Sequence, residues 1–87
     1  MDKEQAVRFL RLPAAGIVDY ALGQANLTQR ERLAVDLCGR QGYTQEAAAI
    51  EADVSVEAVH KWWGTGIAKC CTAWDGNWWI LKLIAER

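Results

Sequence analysis

The sequence lacks a long apolar run and a secretory leader pattern. No apolar stretch approaches the roughly 20 residues that a transmembrane helix needs. The N-terminal stretch MDKEQAVRFLR is charged, whereas a secretory signal would be apolar. We therefore expect a cytoplasmic protein without a membrane partner.

The sequence is also poor in the side chains that carry chemistry. It has a single histidine, so the base that activates a nucleophile in many enzymes has one candidate at most. Gly64 and Gly66 alone do not make a phosphate-binding loop. The acidic residues are spread singly along the chain. We expect no catalytic residue, no cofactor, no metal site and no small-molecule substrate.

The three cysteines are odd in number, and their spacing matches no zinc pattern. They are Cys38, Cys70 and Cys71. Such residues in apolar stripes are typical of reduced thiols in the core of a cytosolic protein. A redox or metal role is the alternative.

The chain has no excess of positive charge. Its net charge is −1 and its pI is about 5.7. This balance argues mildly against nonspecific DNA binding, which usually depends on a basic surface. It does not exclude a local basic face, since ten basic residues are scattered along the sequence.

The chain is rich in tryptophan and in helical patterns. Its 87 residues predict one domain with a small core, and five tryptophans serve such a core or an interface. Helices are predicted over 2–11 and 13–22, with Gly23 as a stop. Thr28 and Glu31 form a capping box that predicts a helix over 29–40, which ends near Gly39 and Gly42.

The middle of the chain predicts two short helices with a tight turn between them. Thr44 caps an alanine-rich helix over 45–52, and Asp53, Val54 and Ser55 form the turn. Ser55 then caps a helix over 56–63, which Gly64 ends.

The last segment predicts two more helices. Thr65 caps a helix with an apolar stripe that ends at Trp74; the alternative is one long helix through Gly64 and Gly66. Trp74 and Trp79 are expected to form a hydrophobic staple around Asp75. The final WWILKLIAER segment is expected to be helical, with a strand as the alternative. The fold class is all-α, a compact bundle of about five to six short helices in a single domain over 1–87 (N-terminal helices 2–23, central part 27–64, C-terminal helices 65–87).

Two stretches carry a resemblance to known families. TQEAAAIEADVSVEAVHKWW resembles the helix-turn-helix consensus of bacterial and phage regulators. LTQRERLAVDL resembles the helix before this motif in LuxR/GerE-type regulators and in the C-terminal promoter-reading domain of sigma factors. The resemblance covers residues 27–63. It implies that Ala49 lies at the helix crossing and that Val54 is the first apolar residue after the turn. Val59 and Trp62 would form the inward face of the second helix, with Trp63 one position round, nearer the surface.

The resemblance implies a small DNA-binding transcription regulator that inserts helix 55–63 into the major groove. The sequence departs from the family pattern at the turn, where Asp53 replaces the usual glycine, and at Ala52, where a larger aliphatic residue is usual. Glu57 accepts from cytosine but repels phosphate. The implied DNA-contacting residues are Thr44, Gln45, Ser55, Val56, Glu57, His60 and Lys61, with Arg40 and Lys69 extending the phosphate contact.

A protein-binding module is the alternative function, favoured by the low pI, Val56, Glu57 and the tryptophan content. Its partner would be RNA polymerase, a sigma factor or a host regulator. If the chain instead binds DNA, a homodimer is expected, because DNA-binding modules of this kind usually act as dimers. A recognition subunit for viral DNA packaging is a third possible function. Convergence of Lys61, Lys69 and Arg40 would favour DNA. The residues expected at a partner or dimer surface are Trp63, Trp78, Trp79 and Leu81.

Overall fold

The computed structural model describes residues 1–86, and every regular element in that range is helical. The all-α prediction is confirmed, and the strand alternative for the last segment is wrong. No helix within this range is long and apolar enough to cross a bilayer. The six helices are α1 (Lys3–Leu10), α2 (Ala15–Gln24), α3 (Gln29–Ala34), α4 (Gln45–Ala52), α5 (Val56–Ala73) and α6 (Trp78–Ala85), and α3 continues directly into a π-helical segment (Val35–Arg40).

The three predicted helix caps in the central part of the chain are confirmed. The side-chain hydroxyls of Thr28, Thr44 and Ser55 each accept a backbone N–H three residues on, at 3.1 Å. Glu31 completes the predicted capping box, because its carboxylate accepts the backbone N–H of Thr28 at 2.9 Å. These bonds satisfy amides that have no partner within their own helix, so the starts of α3, α4 and α5 are set by local sequence.

Helix α5 runs through the predicted boundary at Gly64 without a break. The predicted stop at Gly64 and the predicted cap at Thr65 are wrong, and the alternative of one long helix is right. The Thr65 hydroxyl instead lies 3.4 Å from the carbonyl of Trp62, inside the helix. Packing of Gly66 against α3 outweighs the low helix propensity of glycine. Similarly, α2 continues through Gly23, and the chain turns at Asn26 with φ 56°.

Trp74 is the centre of the core. It is fully buried, and its ring lies edge-on to Phe9 at 5.0 Å between centroids. Its indole N–H donates to the carbonyl of Ala21 at 2.9 Å, so one side chain ties together α1, α2 and the end of α5. The predicted staple around Asp75 is wrong, because α6 starts after Asn77 and the Asp75 carboxylate contacts the Met1 amino group at 2.7 Å.

The burial of the paired tryptophans is the reverse of the prediction. Trp63 is buried, and Trp62 is only half-buried. The continuous α5 turns Trp63 towards the π-helical segment, where a Cβ atom added at Gly39 would lie 3.1 Å from its ring. The Lys3 ammonium lies 5.5 Å from the centroid of the Trp63 ring, in cation–π range. Trp63 therefore belongs to the core.

Two glycines of α5 give a matched test of the α3–α5 contact. A Cβ atom at Gly66 would lie 2.9 Å from Val35 Cγ2 and 3.3 Å from the Glu31 carbonyl oxygen, whereas at Gly64 it would meet nothing within 4 Å. We expect Gly66→Ala to lower the free energy of unfolding by about 1–2 kcal/mol, since overpacking exceeds the gain in helix propensity. Gly64→Ala should raise it by about 0.5–1 kcal/mol.

Urea unfolding followed by tryptophan fluorescence measures both free energies. Equal stabilisation by the two alanines would mean that α5 does not approach α3 as closely as described.

Candidate nucleic-acid interface

Helices α4 and α5 are joined by a short turn with a left-handed residue. Asp53 has φ 56° and ψ 49°, the conformation that usually favours glycine and that Asp adopts more readily than most residues. The backbone N–H of Val54 donates to the carbonyl of Ala49 at 3.0 Å, which closes the end of α4. Ala48 and Ala49 are buried, so their small side chains let neighbouring helices approach α4 closely. Asp53 therefore has the left-handed conformation for which glycine is usual at this turn position.

The first two turns of α5 carry an exposed polar edge. Val56, Glu57, His60 and Lys61 are all exposed, as is the preceding Ser55. Gln45, the first residue of α4, lies beside this edge, because its Oε1 is 3.1 Å from His60 Nδ1. The structure therefore brings together six of the nine residues that the resemblance implies for DNA contact, with Thr44 capping the helix next to them.

Arg40 and Lys69 are held in ion pairs by other parts of the fold. Arg40 Nη1 lies 2.6 Å from Asp19 Oδ1, and Lys69 Nζ lies 2.7 Å from Glu31 Oε1. Their positive charges are thus largely offset inside the chain. Arg40 and Lys69 therefore do not add free positive charge beside Lys61, as DNA binding would favour. Arg40 also lies 3.5 Å from Asp36, four positions before it, and this pairing is visible in the local sequence. Asp19 and Glu31, by contrast, are 21 and 38 positions from their partners and leave no local pattern.

Arg30 is a candidate contact residue that the sequence did not single out. Its guanidinium carbon lies 5.5 Å from the centroid of the Trp62 ring, in cation–π range. The stacking therefore holds the guanidinium of Arg30 against the first half of α5. The contact joins residues 32 positions apart, and nothing in the sequence around Arg30 signals it.

The charges around α5 are separated into two flanks. The acidic flank lies on α4 and the turn, where Glu46, Glu51 and Asp53 are exposed. The other flank lies on the α3 side, where Arg30 lies over Trp62 and Glu31 offsets the charge of Lys69. Between them, Glu57 lies one helical turn before Lys61, so the outward ridge of α5 carries one charge of each sign.

Glu31 joins the start of α3 to α5. It is 5% exposed, and its carboxylate accepts from Lys69 Nζ at 2.7 Å and from the Thr28 N–H at 2.9 Å. The hydrogen bond from Lys69, followed by that from the Thr28 backbone, lowers the pKa of Glu31 to about 2, against the opposing effect of burial. Glu31 is therefore charged at neutral pH and links the start of α3 to the middle of α5.

The predicted partner surface divides between core and solvent. Trp63 is in the core, and Trp79 is partly buried with its ring 6.1 Å from Phe9, so neither offers a free anchor. Trp78 and Leu81 are exposed on α6, at 70% and 37%. The most exposed large apolar side chain is instead Ile50 on α4, at 82%, which sequence reasoning did not single out.

The cysteines are free thiols. Cys38 and Cys70 are buried, and burial raises the pKa of Cys70 to about 12. Such thiols are protonated at neutral pH and poorly nucleophilic. Residues 1–86 hold no group of three or more His, Cys, Asp or Glu side chains placed to bind a metal ion.

Comparison of the chain with protein-family models, with curated proteins and with solved structures finds no match.

The Glu31 contacts predict an acid-sensitive fold. A carboxylate whose pKa is lowered on folding stabilises the protein above its unfolded pKa of about 4.3, and that stabilisation is lost as the pH falls towards 2. Between pH 5 and 2 the free energy of unfolding should therefore fall more steeply in the parent than in Glu31→Gln, by about 1–2 kcal/mol. The difference is kept this small because Lys69 is partly exposed, and solvent weakens its ion pair with Glu31.

Urea unfolding at several pH values gives this difference. The control is Glu4→Gln, which changes an exposed carboxylate on α1 and should follow the parent curve. A Glu31→Gln curve parallel to that of the parent would contradict the role of the ion pair.

Proposed function

We propose that the chain is a small helix-turn-helix DNA-binding protein, a bacterial or phage transcription regulator that places the first half of α5 in the major groove. The observation that carries this proposal is the exposed edge of Ser55, Glu57, His60 and Lys61, held beside Gln45 of α4. An edge of this kind at the start of a helix, with a second helix crossing behind it, is the arrangement that fits a major groove.

Each residue of the edge has a chemistry that suits a part of the duplex. The start of α4, with Thr44 and Gln45, suits a phosphate, because unpaired backbone amides and the helix dipole favour an anion there. Val56 suits a thymine methyl group, and Glu57 suits the amino group of cytosine. Lys61 suits a phosphate or a base edge.

The charges near α5 support weak binding to DNA of any sequence. Recognition of a particular sequence would then depend on contacts with bases in the major groove. Lys61 is the exposed lysine of the edge, Arg30 lies against Trp62, and Lys69 is paired with Glu31. Two phosphate contacts, from Lys61 and Arg30, would give a slope of log affinity against log salt of about −2. Beyond its capped start, α4 carries the exposed carboxylates of Glu46 and Glu51, which disfavour phosphate along the rest of that helix.

The first test is fluorescence anisotropy with a labelled random duplex at rising salt. We expect Lys61→Ala to weaken binding about fivefold and to reduce the salt slope by about 1, because one phosphate contact is lost. Lys82→Ala is the matched control, since it removes an exposed lysine from α6. Equal effects of the two substitutions would rule out α5 as the reading helix.

A protein-binding module is the second candidate, and a specific observation favours it. Residues 44–61 contain four acids (Glu46, Glu51, Asp53, Glu57) against one lysine, and Ile50 is 82% exposed among them. Phosphate is repelled by such a surface, whereas a protein partner with basic and apolar groups is attracted. RNA polymerase, a sigma factor or a host regulator are the partners proposed for this case.

Glu57→Gln separates the two functions. If α5 reads DNA, loss of this carboxylate should strengthen binding to random duplex, since a repulsion from phosphate is removed. If the acidic surface binds protein, the same change should weaken binding of the labelled chain to purified RNA polymerase, with or without sigma factor. A variant that matches the parent in both assays would leave neither function at this edge.

A further inference from the structure

The ring of His60 on the exposed edge of α5 is held by a side chain of another helix. Its Nδ1 lies 3.1 Å from the side-chain oxygen Oε1 of Gln45. Gln45 is the first residue of α4, directly after the capping residue Thr44, so the cap fixes its place. Val59, the residue before His60, is buried, which sets the side of α5 that faces outward. The His60 ring is therefore tied to α4 while it stays exposed.

The bond to Gln45 determines which nitrogen of His60 carries the proton. An amide oxygen has no hydrogen and only accepts, so Nδ1 of His60 is the donor in this bond. A neutral imidazole has a single N–H, so the other nitrogen, Nε2, keeps its lone pair and acts as an acceptor. Within residues 1–86, Gln45 is the hydrogen-bond partner of the ring, which leaves Nε2 for a ligand.

The neighbours of His60 make this edge rich in acceptors. Glu57 lies three positions before His60, and its exposed carboxylate accepts hydrogen bonds. Lys61, the next residue, adds a donor. In the major groove, adenine and cytosine each present an amino group as a donor, whereas guanine presents two acceptors. Acceptors at Glu57 and His60 therefore suit adenine or cytosine and do not suit guanine.

We propose that Gln45 is a positioning residue, which holds the His60 proton on Nδ1 so that Nε2 accepts a hydrogen bond from the exocyclic amino group of adenine or cytosine. The proposal rests on the proposed function, because it names the base chemistry that the edge reads. It gives Gln45 a part in base recognition besides the phosphate contact suggested for the start of α4. The Nε2 lone pair also disfavours guanine, whose N7 and O6 are acceptors.

Nitrogen NMR with isotope-labelled histidine tests the position of the proton without DNA. The chain has one histidine, so the signals of the two ring nitrogens are unambiguous. At about pH 8, above the range in which histidine side chains ordinarily become charged, we expect the proton of the parent on Nδ1. Gln45→Ala removes the acceptor and should move the proton largely to Nε2, the nitrogen that carries it in most neutral histidines in water.

Gln29→Ala is the matched control. Gln29 is the exposed first residue of α3 and follows the cap at Thr28, just as Gln45 follows the cap at Thr44. The control should leave the proton on Nδ1 of His60.

Site selection from a random duplex library, followed by base analogues, tests the contact with DNA. In the selected site, analogues that lack the exocyclic amino group replace adenine or cytosine, one position at a time. We expect loss of the contacted amino group to weaken binding of the parent about fivefold, because one hydrogen bond is lost. The base whose analogue has this effect identifies the contact as adenine or as cytosine.

The variants separate positioning from a general loss of affinity. In His60→Ala, the analogue at the contacted position should bind as well as the natural base, because the acceptor is gone. In Gln45→Ala, most of this preference should be lost while the salt slope stays that of the parent, since no charge is removed. Gln29→Ala should keep the preference. Circular dichroism verifies that each variant is folded.

Failure of this inference is distinguishable from failure of the proposed function. A parent that binds no duplex contradicts the proposed function, and base reading by His60 is then rejected with it. A parent that binds DNA but carries its ring proton on Nε2 overturns this inference alone, since His60 would then donate and favour guanine. A proton that stays on Nδ1 in Gln45→Ala, or a preference unchanged at every position in His60→Ala, overturns it as well.

Discussion

The close packing of α5 on α3 and its π-helical extension is the contact on which the rest of the structure depends. Gly66 allows it, because there is no room for a Cβ atom between α5 and the Glu31 backbone. Glu31 then binds Lys69 across the contact and caps α3 through Thr28. Continuation of α5 beyond Gly66 carries Cys70 and Trp74 into the core, where Trp74 meets Phe9. The contact therefore supports both the exposed start of α5 and the tryptophan core at its other end.

The sequence predicted the parts of this fold that depend on neighbouring residues. The caps at Thr28, Thr44 and Ser55 involve residues three positions apart, so a short pattern suffices to identify them. Asp53 is similar, since its left-handed conformation is a property of the turn itself. The bounds of α4 follow from these two signals at its ends.

The failed predictions concern contacts between residues far apart in the chain. Gly64 and Gly66 look alike in sequence as helix-ending residues, but Gly66 is buried against α3 and Gly64 is open to solvent. Once α5 continues, its register places Trp63 inward. In the site, Lys69 was expected beside DNA because its partner Glu31 is 38 positions away and leaves no local pattern. The second partner of Arg40, Asp19 on α2, is equally hidden, whereas Asp36 is only four positions away.

The separation of charge around α5 bears on the proposed DNA binding. A surface that was basic on all sides would attract any polyanion, and its affinity would carry little sequence information. Here the acids of α4 oppose that general attraction. Discrimination between DNA sequences then depends on residues of the exposed edge such as Glu57 and His60.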